Sequence, residues 1–183
     1  MDDKRRLIIE CSLAELREDG FAAFSQTKVA KRAGLRQSHL TYYYPTKDDL
    51  LVAVAEAAME QQLAALDGLL AGTPKGRAPA QIALLLGRKE NARVLLALVQ
   101  GADQVPRLQV MFTDFAKQMR GRAAALLAGG EKRKVPPRDS YLLHALCVGL
   151  AVLGLALDDA DSGDAHKVAA IETTVRMLSK TPR

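Results

Sequence analysis

"SQTKVAKRAGLRQSHLTYYYPTKDDL", residues Ser25–Leu50, reads as two short helices around one tight turn and the start of a third. Ser25 suits an N-cap, because its hydroxyl can accept from a first-turn N–H that has no helical partner. Val29 and Ala30 turn inward, and Gly34 stops the first helix, since a residue without a Cβ takes the left-handed closing conformation without strain. The second helix runs from about Arg36 to Tyr43, because Pro45 disfavours helical geometry at Tyr44. Helix restarts at Thr46, which caps it, with Asp49 three residues later in a near capping box.

Upstream, residues 3–19 carry Ile9, Leu13 and Leu16 at helical spacing. That helix stops at Gly20, with Phe21 placed to pack back on Leu16 as at a Schellman-type end. A supporting helix followed by two short helices and a glycine turn is a homeodomain-like helix-turn-helix. Charge agrees with that reading. Phe21 through Thr46 contains no Asp or Glu, yet holds Lys28, Lys31, Arg32 and Arg36, whereas a merely solvated face interleaves acids, as residues 3–19 do.

The second short helix sorts its side chains by face. At about 100° per residue, Gln37, Ser38, Thr41 and Tyr42 share one side, with Leu40 and Tyr44 opposite, Tyr43 beside them and His39 on the flank. The first set can reach base edges or phosphates, and the second attaches the helix to its support. The triple tyrosine therefore straddles an interface: Tyr44 in the core, Tyr42 outward, Tyr43 at the boundary. Lys47 stands at the first position of the next helix, where the macrodipole costs a cation about 0.3–1 kcal/mol. A phosphate held jointly by its ammonium and the free N–H groups would offset that cost.

The remaining chain divides into helices over about residues 46–70, 79–86, 91–100, 104–128, 138–157 and 164–179, with "EKRKVPP" a solvated loop and Gly129-Gly130 a helix end. No strand pattern or repeat appears. The expectation is an all-α protein of about nine helices: a helix-turn-helix domain at residues 1–50 and a helical ligand-binding and dimerisation domain at residues 51–183. A net charge of +5 is compatible with a polyanionic partner. Cys11 and Cys147 lie in separate apolar patterns and read as reduced thiols, and the three histidines lack partners at metal-ligand spacing, so no metal or cofactor is expected. The N-terminus places acids before its bases, unlike a secretory signal, and the uncharged run Ala145–Leu157 is too short for a bilayer. The protein is expected in the cytoplasm, without a membrane partner.

Residues 138–157 are apolar on nearly all sides. Leu143, Leu146, Leu150, Leu153 and Leu157 form a heptad-like seam, and Ala145, Gly149 and Ala156 a small-residue face. Residues 164–179 offer Val168, Ile171, Val175 and Leu178 at similar spacing. Two-fold pairing of these stripes would cover them, with Leu146, Gly149, Leu150, Leu153, Val168, Ile171, Val175 and Leu178 at the homodimer interface. Met111, Phe112, Phe115 and Met119 run along residues 104–128, with Gln118 on the same helix and His144 on the next. These are the candidate lining of a pocket for a small, mostly apolar ligand.

"TKVAKRAGLRQSHLTYYYPTKDDLL" resembles the DNA-binding signature of the tetracycline-repressor (TetR) family over about residues 5–55. The matching positions are the Val29-Ala30 pair, the Ala33-Gly34-Leu35 turn, Leu40, Tyr44, Lys47 and Leu50. The resemblance implies a dimeric transcription regulator, usually a ligand-responsive repressor on a palindromic double-stranded operator. By position it places Gln26, Thr27, Arg36, Gln37, Ser38, His39, Thr41, Tyr42, Tyr43 and Lys47 against DNA. Arg36 departs from the family's Ser N-cap, Ser38 from a common Gly, and Thr41 from a frequent Tyr. The competing readings are an all-α enzyme with a site among the central helices, and a helical adaptor with a vestigial DNA-binding region. The first lacks a catalytic triad, a phosphate loop or a metal-ligand pair; the second predicts a damaged recognition face. The reading adopted is therefore a regulator and not an enzyme.

Overall fold

A computed structural model describes residues 3–74, 77–86, 88–129, 134–157 and 163–179. Ten helices occur in order among them: α1 (Asp3–Glu18), α2 (Gly20–Ala23), α3 (Gln26–Arg32), α4 (Gln37–Tyr43), α5 (Lys47–Gly72), α6 (Ala78–Leu86), α7 (Lys89–Ala102), α8 (Pro106–Ala128), α9 (Pro137–Ala156) and α10 (Asp164–Ser179). No strand occurs among the described residues. The protein is all-α with an N-terminal helix-turn-helix. The extra helix is the single turn α2, which follows the break at Gly20 (φ 72°). Gly130 and the first three residues of the expected "EKRKVPP" loop lie outside the described residues.

Two compact units divide the fold, residues 1–61 with 93–113, and residues 62–92 with 114–183. The first is thus larger than the helix-turn-helix alone. Ile8, Leu16, Phe24, Val29, Leu40, Leu50, Leu51, Val54 and Leu108 are its most buried apolar side chains. Gly34 (φ 66°) closes α3 with a Schellman pair: Leu35 N–H donates to Ala30 C=O at 2.9 Å, and Gly34 N–H to Lys31 C=O at 3.2 Å. That turn sets α4 across α3. Gly101 marks a close approach, because a Cβ there would sit 2.8 Å from Leu51 Cδ2 and 3.1 Å from Phe21 Cε2.

In the second unit, Ala83, Leu127, Leu143, Cys147 and Ile171 form one buried cluster, with Val168, Val175 and Leu178 packed against it. Leu66, Ile82 and Met119 form another. α9 buries Leu143, Cys147, Ala151 and Gly154 at spacings of three and four, so one stripe faces the interior. The complete helix, longer than the uncharged run Ala145–Leu157, is long and apolar enough to cross a bilayer by length and composition alone, with mean hydropathy 1.6 over an 18-residue window. Only 33% of that window is buried.

Candidate nucleic-acid interface

The candidate recognition surface is built on α3 and α4. Ser25 caps α3 by accepting from Lys28 N–H at 3.3 Å, and α4 follows the Gly34 turn. α4 spans only seven residues and is anchored by Leu40, which is 0% exposed. Gln37, Ser38 and His39 stand in solvent, and Tyr42 is 81% exposed. The outward and inward assignments of Tyr42 and Leu40 therefore agree with the helical wheel.

Hydrogen bonds order this face further. Thr27 Oγ1 donates to Gln37 Oε1 at 3.1 Å, tying α3 to the start of α4. That bond uses the Gln37 carbonyl oxygen and does not engage the amide N–H donors of this exposed side chain. Gln26 is differently engaged: its Nε2 donates to Tyr44 C=O at 2.7 Å and braces the chain where α4 ends. Thr41 Oγ1 donates back to Ser38 C=O at 3.2 Å. Arg36 is the N-cap residue of α4, and its side chain makes no capping bond.

The tyrosines divide less sharply than their spacing suggests. Tyr44 is half-buried and not a full core residue, because it lies beyond the end of α4 (φ −135°, ψ 89°) just before Pro45. Partial burial raises its phenol pKa, opposed by the charge of Arg5. Tyr43 is also half-buried, packs edge-on against Tyr42 at 5.3 Å, and has the Arg5 guanidinium 5.7 Å over its ring.

Two of the four cations in the acid-free stretch are not free for DNA. Arg32 Nε donates to the buried Glu15 at 2.7 Å, and its other nitrogens pair with Glu18. Lys28 Nζ pairs with Asp19 at 2.8 Å. These partners come from α1 and its end, so folding supplies the acids that the local sequence lacks. Each pair lowers the pKa of the exposed carboxylate, chiefly through its hydrogen bond, Glu18 to Arg32 and Asp19 to Lys28. Lys31 and Arg36 are exposed, with no ion pair among the described residues.

Lys47 opens α5, behind a capping box in which Asp49 N–H donates to Thr46 Oγ1 at 3.0 Å and Thr46 N–H to Asp49 Oδ2 at 3.3 Å. Its ammonium lies 4.9 Å from the Phe21 ring centroid and 6.0 Å from that of Phe24. Such contacts are worth about 0.5–1 kcal/mol at exposed sites, enough to offset the macrodipole penalty. Sequence reasoning missed these two rings. Nothing local signals that residues 21, 24 and 47 converge.

Residues 8–54 match the sequence model of the bacterial regulatory proteins, tetR family. The chain carries a tetR-family DNA-binding domain. The fold as a whole is also that of solved regulators. A transcriptional regulator from Rhodococcus sp. Rha1 shares 22% identity with a TM-score of 0.83, covering 97% of this chain and 99% of its own. A TetR transcription regulator from Haloarcula marismortui shares 18% identity with a TM-score of 0.76, covering 98% and 97%. A protein from Saccharomonospora viridis, described as a transcriptional regulator and solved in complex with choline, shares 16% identity with a TM-score of 0.83, covering 96% and 97%. No curated protein matches the chain at a significant level of sequence similarity.

The tetR-family domain leaves the interface and pocket residues of the second unit to be placed. Ile171 is 1% exposed within its own subunit and so is removed from the expected homodimer contact. Val168, Val175 and Leu178 likewise turn onto the interior cluster, because α10 points its apolar stripe at α6 and α9 and its polar side outward. Leu146 and Leu150 are half-buried against the same cluster. α9 exposes Leu153 from the expected set, with Gly149 half-buried, and beside them Tyr141, Leu142, Ala145, Val148 and Ala156, an apolar stretch that Arg138 precedes.

The second unit also holds a partly open cavity of ≈ 30 Å³. Met119 and His144 are among its lining residues, with Leu66, Leu70, Ile82, Arg122, Leu143, Cys147 and Ile171. Phe115 packs on the adjacent cluster without lining the space, and Gln118 is exposed. Met111 and Phe112 are half-buried, belong to the first unit and do not line this cavity. Burial, then the charge of Arg120, lowers the His144 pKa. Burial pushes the Cys147 thiol up to about 12, which keeps it protonated and a poor nucleophile at neutral pH. Among the described residues no group of three His, Cys, Asp or Glu could hold a metal ion.

Proposed function

We propose that this protein is a ligand-responsive transcriptional repressor that binds a palindromic operator as a homodimer, in the cytoplasm. The observation that carries the DNA side is α4 itself: one fully buried anchor, Leu40, beneath a solvent-facing set of hydrogen-bonding side chains. Gln37, Ser38 and Tyr42 are the base-reading candidates. Arg36, Tyr43 and Lys47 suit phosphate contacts that set register without reading sequence.

Dimerisation is supported by the uncovered face of α9. A run of exposed Tyr, Leu and Val side chains along one helix is costly in water, and a second copy of the same face would cover it. Gly149 offers a clean test, because no heavy atom lies within 4 Å of a Cβ built there. Gly149→Arg should fold normally yet sediment as a monomer and lose tight operator binding. A dimeric Gly149→Arg protein would rule out this face.

Two-fold symmetry makes the operator palindromic, with half-sites about 10–10.5 base pairs apart or a multiple of that. Selection of binding sites from random DNA by the purified protein tests the whole reading. Enrichment of inverted repeats is expected, and no enrichment would refute it. Ligand response is supported by the cavity in the second unit. The Saccharomonospora viridis protein holds choline, but the cavity lining here includes Arg122 and no Phe, Tyr or Trp, which does not suit a quaternary ammonium.

A further inference from the structure

α1 buries Ile8, Ser12 and Leu16 along one stripe, with Ile9 beside them. Arg5 stands one turn earlier on the same stripe, beyond the core, and is exposed. Its guanidinium carbon lies 5.7 Å from the Tyr43 ring centroid, so the first turns of α1 reach the end of α4. Tyr43 in turn meets Tyr42 edge-on at 5.3 Å, and Tyr42 is 81% exposed. The three side chains form a row that leads from the recognition helix onto α1.

Arg5 is an open charge. Its neighbouring acids, Asp3 and Glu10, meet Arg6 at 3.4 and 3.8 Å, whereas Arg5 has no ion pair among the described residues. Arg32 and Lys28, by contrast, are held by the acids of α1 and its end. An aromatic face attracts a guanidinium through its π cloud, which leaves the in-plane N–H donors unspent. A side chain held in this way is oriented in advance and can still take an anion bidentately.

We propose that Arg5 grips a phosphate of the DNA backbone, with Tyr43 as the residue that positions it. This rests on reading α3 and α4 as the DNA surface, and it extends that surface to a third helix. On the helical wheel Tyr43 lies away from Gln37, Ser38 and Thr41, so Arg5 reaches the flank of α4. One helix fills a major groove about 12 Å wide, and a cation on its flank meets sugar-phosphate, not base edges. The Tyr43 ring then serves as a platform, a role independent of its hydroxyl.

The test is binding of the full chain to the selected operator and to random DNA over a salt series, with thermal melting alongside. Arg5→Ala should weaken both by one factor, roughly five- to tenfold at about 0.1 M salt, and lower the salt slope by about 0.9. Arg5→Lys, which keeps the charge, should retain most of that slope. Adding Arg5→Ala to Tyr43→Phe should cost the same factor, because the ring remains. Adding it to Tyr43→Leu should cost less than about twofold. An unchanged slope for Arg5→Ala, even with a lowered melt, would mean that Arg5 only fastens α1 to α4, and would overturn the proposal. A loss confined to the operator would overturn it as well, by making Arg5 a base reader. If the unaltered protein binds neither DNA, the reading of the surface falls and the proposal with it. Should Tyr43→Leu not fold, Tyr43→Phe decides the platform: loss of the Arg5 effect in that background would assign it to the hydroxyl and overturn the role of the ring.

Discussion

Leu40→Ala tests the orientation of the recognition helix directly. Leu40 is 0% exposed and is the one fully buried residue of α4, a helix of seven residues. Helices shorter than about 12–15 residues are marginal alone in water, so α4 depends on that anchor. The substitution removes three buried carbons, roughly 2.4 kcal/mol at about 0.8 per methylene, and leaves a cavity that raises the cost to about 2–5 kcal/mol. In a chain of 183 residues each kcal/mol corresponds to about 2–4 °C, so the melt should fall by roughly 5–15 °C. If α4 detaches locally instead, amide exchange should accelerate at residues 37–43 before the rest of the first unit. Tyr42→Ala is the control, because its ring is 81% exposed. Its stability should stay within about 0.5 kcal/mol, with operator affinity reduced. Thermal melting and exchange of both variants settle the matter. A normal melt for Leu40→Ala with an early melt for Tyr42→Ala would mean that α4 is turned the other way, and the contact assignments would fail together.

Two substitutions should separate affinity from sequence reading. Lys47→Ala should weaken binding to operator and random DNA alike and lower the salt slope by about 1, whereas a loss confined to the operator would refute its role on phosphate. Gln37→Ala should cost about 1–3 kcal/mol of discrimination at one base position, measured with matched and mismatched operators; uniform weakening would show that it does not read a base. Acid titration reports the ion pairs of α1 with α3. The folded pKa values of Glu18 and Asp19 lie below their ordinary values, so the stability they contribute is present above about pH 4 and is lost as pH falls through the lowered values. Arg32→Gln and Lys28→Gln should flatten that acid limb of the stability curve, and an unchanged limb would show that other carboxylates set it.

Local signals along the chain were enough for the helix-turn-helix, because each is a backbone constraint acting within a few residues. Gly34 permits the left-handed turn that closes α3, Ser25 and Thr46 cap the helices that follow them, and Pro45 stops α4. The period of 3.6 residues likewise sorted Leu40 inward and Tyr42 outward without reference to the rest of the molecule. Matters that depend on distant residues were decided only by packing. Arg32 and Lys28 look like a free basic arc until α1 brings Glu15, Glu18 and Asp19 beside them. Lys47 meets Phe21 and Phe24 across more than twenty residues of chain, and Gln26 is diverted to the carbonyl of Tyr44. The apolar stripes of α9 and α10 were equally legible as stripes, yet periodicity does not say which partner covers a face. Tertiary packing turned Ile171 and Val168 inward and left Leu142, Val148 and Leu153 outside, because an apolar surface is buried by whichever helix the connecting turns deliver to it.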